Sequence, residues 1–285
     1  MGTAEPFPKE FHYRIHWRSN STRPGHHQGN PIGSGYQFHG HASLMSGDPR
    51  HLDIHASLLD PFGEFVVRTF KQRSTIPVYA IADLSASMTI SGHNRKTRLI
   101  ADMAASIAYS AFRNGDAFGF IGCAEQVLDD FMLPLRWTKG LSQNFFEQLN
   151  RHQSTARSAQ GILDTPQYLG RQQSLLFLIS DFHFSLQQLQ VILTNLAYHD
   201  VIPIVLWGSS EYSQLPKRGI VRFCDAESGE ERCLFMRPHL YQRIQDSFEQ
   251  RRQTLIETCS AFGRTPFFVN DRFEPDQLTD YFFQR

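Results

Sequence analysis

The chain has 285 residues, of which 41% are hydrophobic and 13% aromatic, and this is enough apolar material to bury one large core or two small ones. Its 28 basic and 28 acidic residues cancel, so the overall charge attracts the chain neither to nucleic acid nor to an anionic membrane surface. These values exclude a disordered chain, and we expect no nucleic-acid partner.

No stretch approaches the roughly 18 to 20 continuous apolar residues that a membrane span needs, and the opening MGTAEPFPKEFHYR lacks the apolar core of a signal peptide. The four cysteines are too few and too scattered for a secreted disulfide framework. We therefore expect a cytoplasmic protein with reduced thiols and no direct membrane span. One alternative stays open, because IVRFCDAESGEERCLFM predicts a hairpin turning at Ser228 and Gly229, in which Cys224 would face Cys233 closely enough for a disulfide.

The first part of the chain differs from the rest in composition and pattern. It holds eight of the 13 histidines and a glycine-rich run, RPGHHQGNPIGSGYQFHGH, and it lacks helical periodicity. We expect an irregular, β-rich N-terminal segment over residues 1–72.

Residues 73–285 alternate between strand-like and helix-like stretches. The predicted elements begin with the buried strand IPVYAIADL, the helix TRLIADMAASIAYSAFRNG, the strand DAFGFIGCAEQV with a hairpin partner ending near MLPL, and the helix GLSQNFFEQLNRH. After a polar loop and helix around STARSAQGIL come the buried strand SLLFLISDFHF, the crossover helix SLQQLQVILTNLAYH and the buried strand DVIPIVLWG. The chain continues with a hairpin over 219–237, a long helix over 239–261, the short strand TPFFVN and a terminal helix. Apolar strands that alternate with helices indicate a mostly parallel sheet covered on two faces. We therefore predict a doubly wound α/β domain.

Polar side chains follow two of the buried strands where each strand ends. Asp83, Ser85 and Ser87 follow the first, Asp181 follows LLFLIS, and the polar loop between them supplies Ser154 and Thr155. Ligands bind beyond the carboxyl ends of parallel strands, and a turn leaving a strand can aim residues i, i+2 and i+4 at one point. Oxygen donors without sulfur or imidazole suit Mg²⁺ or Mn²⁺. Asp and Ser at strand exits also cap helices, but the two motifs together favour a metal site.

The run DLSASM resembles the DxSxS signature of the von Willebrand factor A domain, which carries a metal-ion-dependent adhesion site. By this resemblance Asp83, Ser85 and Ser87 match the signature, Thr155 matches the threonine of a later loop, and Asp181 matches the second aspartate. The glycines that usually precede the threonine are absent. The resemblance implies direct ligation by the three hydroxyls, direct or water-mediated binding by the two carboxylates, and Mg²⁺, or else Mn²⁺ or Ca²⁺, as the ion.

The segments SGDPRHLDIHASL and FVVRTFKQRSTIPVY resemble the region preceding the A domain in the bacterial domain-of-unknown-function family fifty-eight. Gly47, Asp48, Arg50 and Asp53 match its pattern, whereas His55 departs from it. The resemblance implies a MoxR-type AAA+ ATPase as partner and a role in maturation of, or metal insertion into, a client enzyme. The short, histidine-rich form is similar to accessory proteins of methanol oxidation, which implies methanol dehydrogenase as the client.

We expect a non-enzymatic adapter without catalytic residues, in which an open position on the metal accepts a carboxylate from the partner. A Mg²⁺-dependent hydrolase or phosphatase with Asp83 as nucleophile is the alternative. The absence of a Walker loop, of a paired DxD and of a lysine or arginine directly beside the motif argues against it, although Arg95, Lys96 and Arg98 follow nearby. A third possibility is a metal carrier that uses histidines. The paired histidines are His26 with His27, His39 with His41, and His51 with His55, the last pair sharing a face if helical.

Overall fold

A computed structural model describes residues 8–33, 35, 37–89, 96–208, 216, 218–224 and 231–285. Two compact units are present: one is Arg14–Ile76, and the other comprises Pro77–Arg285 together with the residues up to Tyr13. The division therefore falls at Ile76 rather than after residue 72, and residues 8–13 belong to the larger unit.

The smaller unit contains a regular antiparallel sheet. Its strands are β1 (Pro24–Gly33), β2 (Gln37–Ser43) and β3 (Val66–Ser74), in the order β1-β3-β2. The connection from β2 to β3 contains 3₁₀ helices at Leu44–Ser46 and Pro49–His51 and the short helix α1 (Ile54–Leu58). The prediction of β-rich structure agrees with these strands, although the strands are longer and more regular than expected.

The residues that match the upstream family pattern have structural roles in this unit. Gly47 packs so closely on Val67 that an added Cβ would lie 2.2 Å from a methyl carbon. The Asp48 carboxylate caps the second 3₁₀ helix and accepts hydrogen bonds from the Arg50 guanidinium at 2.7 to 3.1 Å. These bonds lower the pKa of Asp48 to about 2.

Asp53 plays the same part for α1. Its carboxylate accepts a bond from Ala56 N–H at 3.0 Å, which caps the helix, and another from Arg68 Nε at 2.7 Å. The pKa of Asp53 is lowered, first by the Arg68 bond and then by the Ala56 bond. His41 Nε2 lies 3.1 Å from the same carboxylate. The motif thus holds helix α1 against β3.

The larger unit is built on a six-stranded mixed sheet with the order β11-β8-β7-β4-β5-β6. Its strands are β4 (Pro77–Asp83), β5 (Ala117–Cys123), β6 (Val127–Arg136), β7 (Leu175–Ser180), β8 (Asp200–Leu206) and β11 (Phe267–Val269). All neighbouring strands are parallel except β6, which runs antiparallel to β5. The four strands β4, β5, β7 and β8 are buried at every residue, as the continuous apolar runs predict.

Helices cover both faces of this sheet. They are α2 (Ala86–Thr89), α3 (Lys96–Arg113), α4 (Gln143–Arg151), α5 (Leu186–Asn195), α6 (Pro238–Ala261) and α7 (Pro275–Gln284), with a 3₁₀ helix at Gln160–Tyr168. Ile81 and Leu178 lie in one core with Leu189 of α5 and Leu255 of α6. On the other face, Phe177 contacts Phe282 of α7, with ring centroids 6.0 Å apart. Because strand side chains alternate between faces, each strand contributes to both cores, as the predicted doubly wound arrangement requires.

Two local predictions differ from the structure. The helix expected around STARSAQGIL is instead a 3₁₀ helix that begins at Gln160 and contains Pro166, which removes one backbone donor. Residues 152–159 before it are irregular. The loop that supplies Thr155 is therefore longer than predicted.

The predicted hairpin is present as β9 (Gly219–Cys224) and β10 (Glu231–Met236), but its predicted register is wrong. Cys224 pairs with Glu231, and Cys233 pairs with Arg222. The expected turn residues lie outside the described part of the chain. This register makes the two cysteines diagonal neighbours, about 7–8 Å apart, whereas a disulfide needs Cα atoms within about 4.4–6.8 Å. Among the described residues, no helix is long and apolar enough to cross a bilayer.

Candidate functional site

The site forms where the two central strands of the larger unit end. Strands β4 and β7 are parallel neighbours, and Ala82 pairs with Ile179. Asp83 and Ser180, the next residues, therefore end their strands side by side, and Asp181 follows at the same edge. This is the edge at which open parallel sheets bind ligands.

The Asp83 carboxylate is buried and held by three hydrogen bonds from neutral donors. Oδ1 accepts from the Ser85 amide at 2.9 Å and from the Ser85 hydroxyl at 2.6 Å. Oδ2 accepts from the Ser180 hydroxyl at 2.8 Å. The Ser180 Oγ also accepts from Phe182 N–H at 3.0 Å, so it ties the two strand ends together. Sequence reasoning missed Ser180, because it reads as the last residue of an apolar strand.

The electrostatics of this carboxylate favour a nearby cation. Asp83 is only 1% exposed. Burial first, and then the Asp181 carboxylate, raise the pKa of Asp83 to about 6, although the bonds from Ser85 and Ser180 act in the opposite direction. A raised carboxyl pKa means that the negative charge lacks compensation in its surroundings.

The two serine hydroxyls are placed as neighbouring metal ligands would be. Ser85 Oγ and Ser87 Oγ lie 3.2 Å apart. At metal–oxygen distances of about 2.1 Å, adjacent ligands of an octahedral Mg²⁺ ion are about 3 Å apart. Ser85 is buried and Ser87 is partly exposed, while Leu84 and Ala86, which alternate with the two serines, are buried in the core. The alternate spacing therefore brings both hydroxyls to one place, and the donor set fits a hard divalent ion.

The second aspartate pairs with a lysine that sequence reasoning did not place in the site. Asp181 Oδ2 accepts from Lys96 Nζ at 3.4 Å, and Oδ1 accepts from His183 N–H at 3.2 Å. Asp181 is 2% and Lys96 4% exposed. The expectation that no lysine or arginine stands beside the motif is therefore wrong, because Lys96, which follows the motif in the sequence, lies at Asp181. Helix α3 returns over the sheet and brings its first residue to the strand ends.

Two further side chains hold the backbone that follows Asp181. Trp207 Nε1 donates to the Asp181 carbonyl at 2.9 Å, and Arg251 donates to the carbonyls of Phe182 and Phe184, both at 2.6 Å. Phe182 has a positive φ of 54°, which costs a non-glycine residue energy unless its surroundings enforce it. Burial lowers the pKa of Arg251, and Asp181 opposes this. The end of β8 and helix α6 thus position the Asp181 loop.

The loop containing Thr155 borders the site. Ala86 N–H donates to the Ala156 carbonyl at 2.8 Å, and His152 Nε2 lies 3.3 Å from the Leu84 carbonyl oxygen. Thr155 itself is exposed. The structure therefore brings Asp83, Ser85, Ser87 and Asp181 together and places Thr155 in the adjoining loop.

The paired N-terminal histidines belong to the smaller unit. His51 belongs to the 3₁₀ helix and His55 to α1, so the two do not share one helical face as predicted. His41 faces Asp53. Across the described ranges, no group of three or more histidine, cysteine, aspartate or glutamate side chains is arranged to hold a metal. A metal site at the strand ends therefore depends on the serine hydroxyls.

Comparison with known sequences identifies one family and one relative. The sequence model of the family described as "Protein of unknown function DUF58" matches residues 59–254. A Paracoccus denitrificans protein, named "Uncharacterized protein in moxR 3'region", is 28% identical over 101 residues, which are 35% of this chain and 96% of that protein.

Solved structures with detectable similarity are distant. BatB from Bacteroides thetaiotaomicron has a TM-score of 0.42 at 12% identity, covering 73% of this chain and 96% of that one. An aerotolerance-related membrane protein from Bacteroides fragilis has a TM-score of 0.41 at 14% identity, covering 73% and 97%. An uncharacterized membrane-spanning protein from Vibrio fischeri has a TM-score of 0.24 at 15% identity, covering 72% and 95%.

Proposed function

Because this chain belongs to the family described as "Protein of unknown function DUF58", we propose that its larger unit is a von Willebrand factor A domain acting as a non-enzymatic adapter. The adapter binds its partner through a divalent ion held in a metal-ion-dependent adhesion site. One observation carries this proposal: Asp83 is fixed by neutral donors at the end of β4, beside two hydroxyls that lie 3.2 Å apart.

Each site residue has a defined task in this proposal. Ser85, Ser87 and Thr155 bind the ion directly, and Asp83 and Asp181 bind it directly or orient its waters. Mg²⁺ is the expected ion, with Mn²⁺ or Ca²⁺ as alternatives, because all the donors are oxygens. The bound ion supplies a Lewis-acidic position that accepts a carboxylate of the partner.

The proposed partner is a MoxR-type AAA+ ATPase, and the complex acts in the cytoplasm on a client enzyme during maturation or metal insertion. The name of the Paracoccus denitrificans relative supports this, because that protein is described as lying in a moxR 3' region. The resemblance to methanol-oxidation accessory proteins of the MxaS type makes methanol dehydrogenase the first client to test.

A Mg²⁺-dependent phosphate hydrolase is the second candidate, and Lys96 is the observation that favours it. A carboxylate, hydroxyls and a buried lysine could together bind a phosphoryl group. The surroundings of Asp83 oppose this reading, because both of its oxygens already accept hydrogen bonds and the residue is buried. Mg²⁺-dependent hydrolysis of p-nitrophenyl phosphate that is lost in Asp83→Asn protein would reverse the preference.

Affinity capture tests the adapter directly. Wild-type protein, Asp83→Ala and the control Asp129→Ala, which removes an exposed carboxylate on β6, are immobilised and exposed to a lysate of the source cells. The lysate contains either Mg²⁺ or EDTA. We expect the MoxR-type ATPase, identified by mass spectrometry, only with wild-type and Asp129→Ala protein in Mg²⁺. Equal capture by Asp83→Ala protein, or in EDTA, would place the interface elsewhere.

A further inference from the structure

The position of Lys96 is unusual for an ammonium group. Lysine is almost never fully buried unless it is paired, yet Lys96 is 4% exposed. It is also the first residue of the 18-residue helix α3, where the positive end of the helix dipole disfavours a cation. Its placement therefore depends on contacts outside the helix, and the ion pair with Asp181 is one of them.

The contact between Lys96 and Asp181 is loose. Nζ lies 3.4 Å from Oδ2, whereas charge-assisted N–H···O bonds are typically about 2.7–2.9 Å long. An ammonium on a flexible four-carbon stem is a point charge without the planar fork of arginine. Such a group neutralises a neighbour without locking it, so it can yield when another cation arrives.

We propose that Lys96 is a built-in counter-cation of the metal site, which weakens metal binding and makes it depend on the partner's carboxylate. This inference rests on the proposed adapter function. Among the buried groups of the ionised site, the carboxylates of Asp83 and Asp181 and the ammonium of Lys96 leave one net negative charge. A bound divalent ion turns this into one net positive charge, and a partner carboxylate brings the buried site to neutrality.

The charge balance gives Lys96 opposite effects on the two ligands. Buried charge is costly unless it is compensated. The ammonium repels the divalent ion in the free protein, and the same ammonium favours an acidic side chain once the ion is bound. Metal and partner should therefore bind together more strongly than either binds alone, with Lys96 as the source of this coupling.

Calorimetric titration with Mn²⁺ tests the first half of the inference. The Lys96→Met variant keeps an unbranched side chain of similar length and loses the charge, and we expect it to bind Mn²⁺ at least about tenfold more tightly than wild type does. The matched control is Arg98→Met, which removes a cation that is 67% exposed on the same helix. It should change the affinity by less than about twofold, since exposed charges are screened by solvent.

A double-mutant cycle keeps the inference testable if the single variant misfolds. Asp181→Asn should weaken Mn²⁺ binding by about tenfold or more, and adding Lys96→Met to it should restore affinity to within about threefold of wild type. The double variant has the net charge of the original site. A lysine that merely packed against the loop would give no such rescue, so failure of the rescue would overturn the inference.

Capture of the MoxR-type ATPase at saturating Mn²⁺ tests the second half. Lys96→Met protein should hold the ATPase about tenfold less tightly than wild type, although it binds Mn²⁺ better. The outcomes separate the two proposals. If wild-type protein and the Lys96→Met variant bind no Mn²⁺, the adapter site itself is wrong and the inference fails with it. If wild type binds Mn²⁺ through Asp83 but Lys96→Met changes neither affinity, or weakens both, the adapter stands and the role of Lys96 is refuted.

Discussion

Each end of the central sheet has a buried carboxylate, and the two carboxylates have different kinds of partner. At the amino end of β8, the Asp200 carboxylate pairs with Arg264 at 3.1 Å and with Arg285. At the carboxyl end of β4, Asp83 has hydrogen bonds from hydroxyls and an amide. The first carboxylate is neutralised by parts of the fold, whereas the second keeps a charge that a ligand can use. Burial alone therefore does not distinguish the two carboxylates; the type of their partners does.

The largest expected effect on stability comes from removing the charge of Asp200 at the amino end of β8. Asp200→Asn leaves two mostly buried arginines without their counter-charge, and removing one partner of such a network typically costs about 3–5 kcal/mol. We expect urea denaturation to show a loss of that order. The exposed control Asp129→Asn should stay within about 0.5 kcal/mol of wild type. Unchanged stability of Asp200→Asn would mean that the arginines can reach solvent, and the contrast between the two ends would disappear.

A smaller and opposite effect is expected at the carboxyl end. The pKa of Asp83 is raised in the folded state to about 6, so the folded protein retains a proton that the unfolded chain has released. Between about pH 4 and pH 6, stability without metal should therefore fall as pH rises, by up to about 3 kcal/mol. Asp83→Asn protein lacks this titration.

Urea denaturation in EDTA at pH 4.5 and pH 7 measures this linkage. The quantity compared is the difference in the free energy of unfolding between wild type and Asp83→Asn at each pH. We expect the variant to be the more stable of the two at pH 7 and to have lost Mn²⁺ binding. A variant that is less stable than wild type at pH 7 would show that the ionised carboxylate is well compensated, and Asp83 would then resemble Asp200.

The support of the Asp181 loop should contribute less. Arg251→Met removes two bonds to the carbonyls of Phe182 and Phe184, and we expect a loss of about 1–2 kcal/mol in stability. Mn²⁺ affinity should fall several-fold, because the loop carries Asp181. The exposed neighbour Arg252 provides the matched control, and Arg252→Met should leave Mn²⁺ binding unchanged. Equal Mn²⁺ affinity in the two variants would show that the support of the Asp181 loop by Arg251 does not affect metal binding.

The smallest effect is expected for an exposed carboxylate–arginine pair in the smaller unit. Arg50→Gln should raise the pKa of Asp48 from about 2 toward its ordinary value, because the Arg50 bonds are the main cause of the shift. Carboxyl-detected NMR titration would report this change. The urea midpoint at pH 7 should not move measurably, since solvent-exposed ion pairs add little to stability. A clear decrease in the urea midpoint would show that exposed and buried ion pairs differ less in their contribution to stability than the Asp200 comparison implies.

Much of the candidate site follows from the sequence because strand ends are local features. The apolar runs predict β4 and β7, and their parallel pairing brings Asp83 and Asp181 to one edge. Lys96 and Arg251 could not be found in this way, because each comes from a helix whose path over the sheet depends on packing. Ser180 was hidden for another reason: a single hydroxyl at the end of an apolar strand carries no pattern of its own.

The hairpin shows the same limit at smaller scale. Alternating apolar residues predict both strands of 219–236, but they leave the register free to shift by two residues, since such a shift keeps every side chain on the same face. The structure pairs Cys224 with Glu231 and so separates it from Cys233. The choice between these registers depends on the turn and on surrounding contacts.

By itself, the sequence determined the α/β class, the buried strands of the larger unit and the oxygen donors at their ends, because periodicity and strand termini depend on near neighbours in the chain. Only the tertiary structure decided which charges meet: two arginines at Asp200, Lys96 at Asp181, and neutral donors at Asp83. The physical reason is that electrostatic interaction depends on distance in space and on burial, and residues far apart in the chain acquire both only when the helices pack on the sheet.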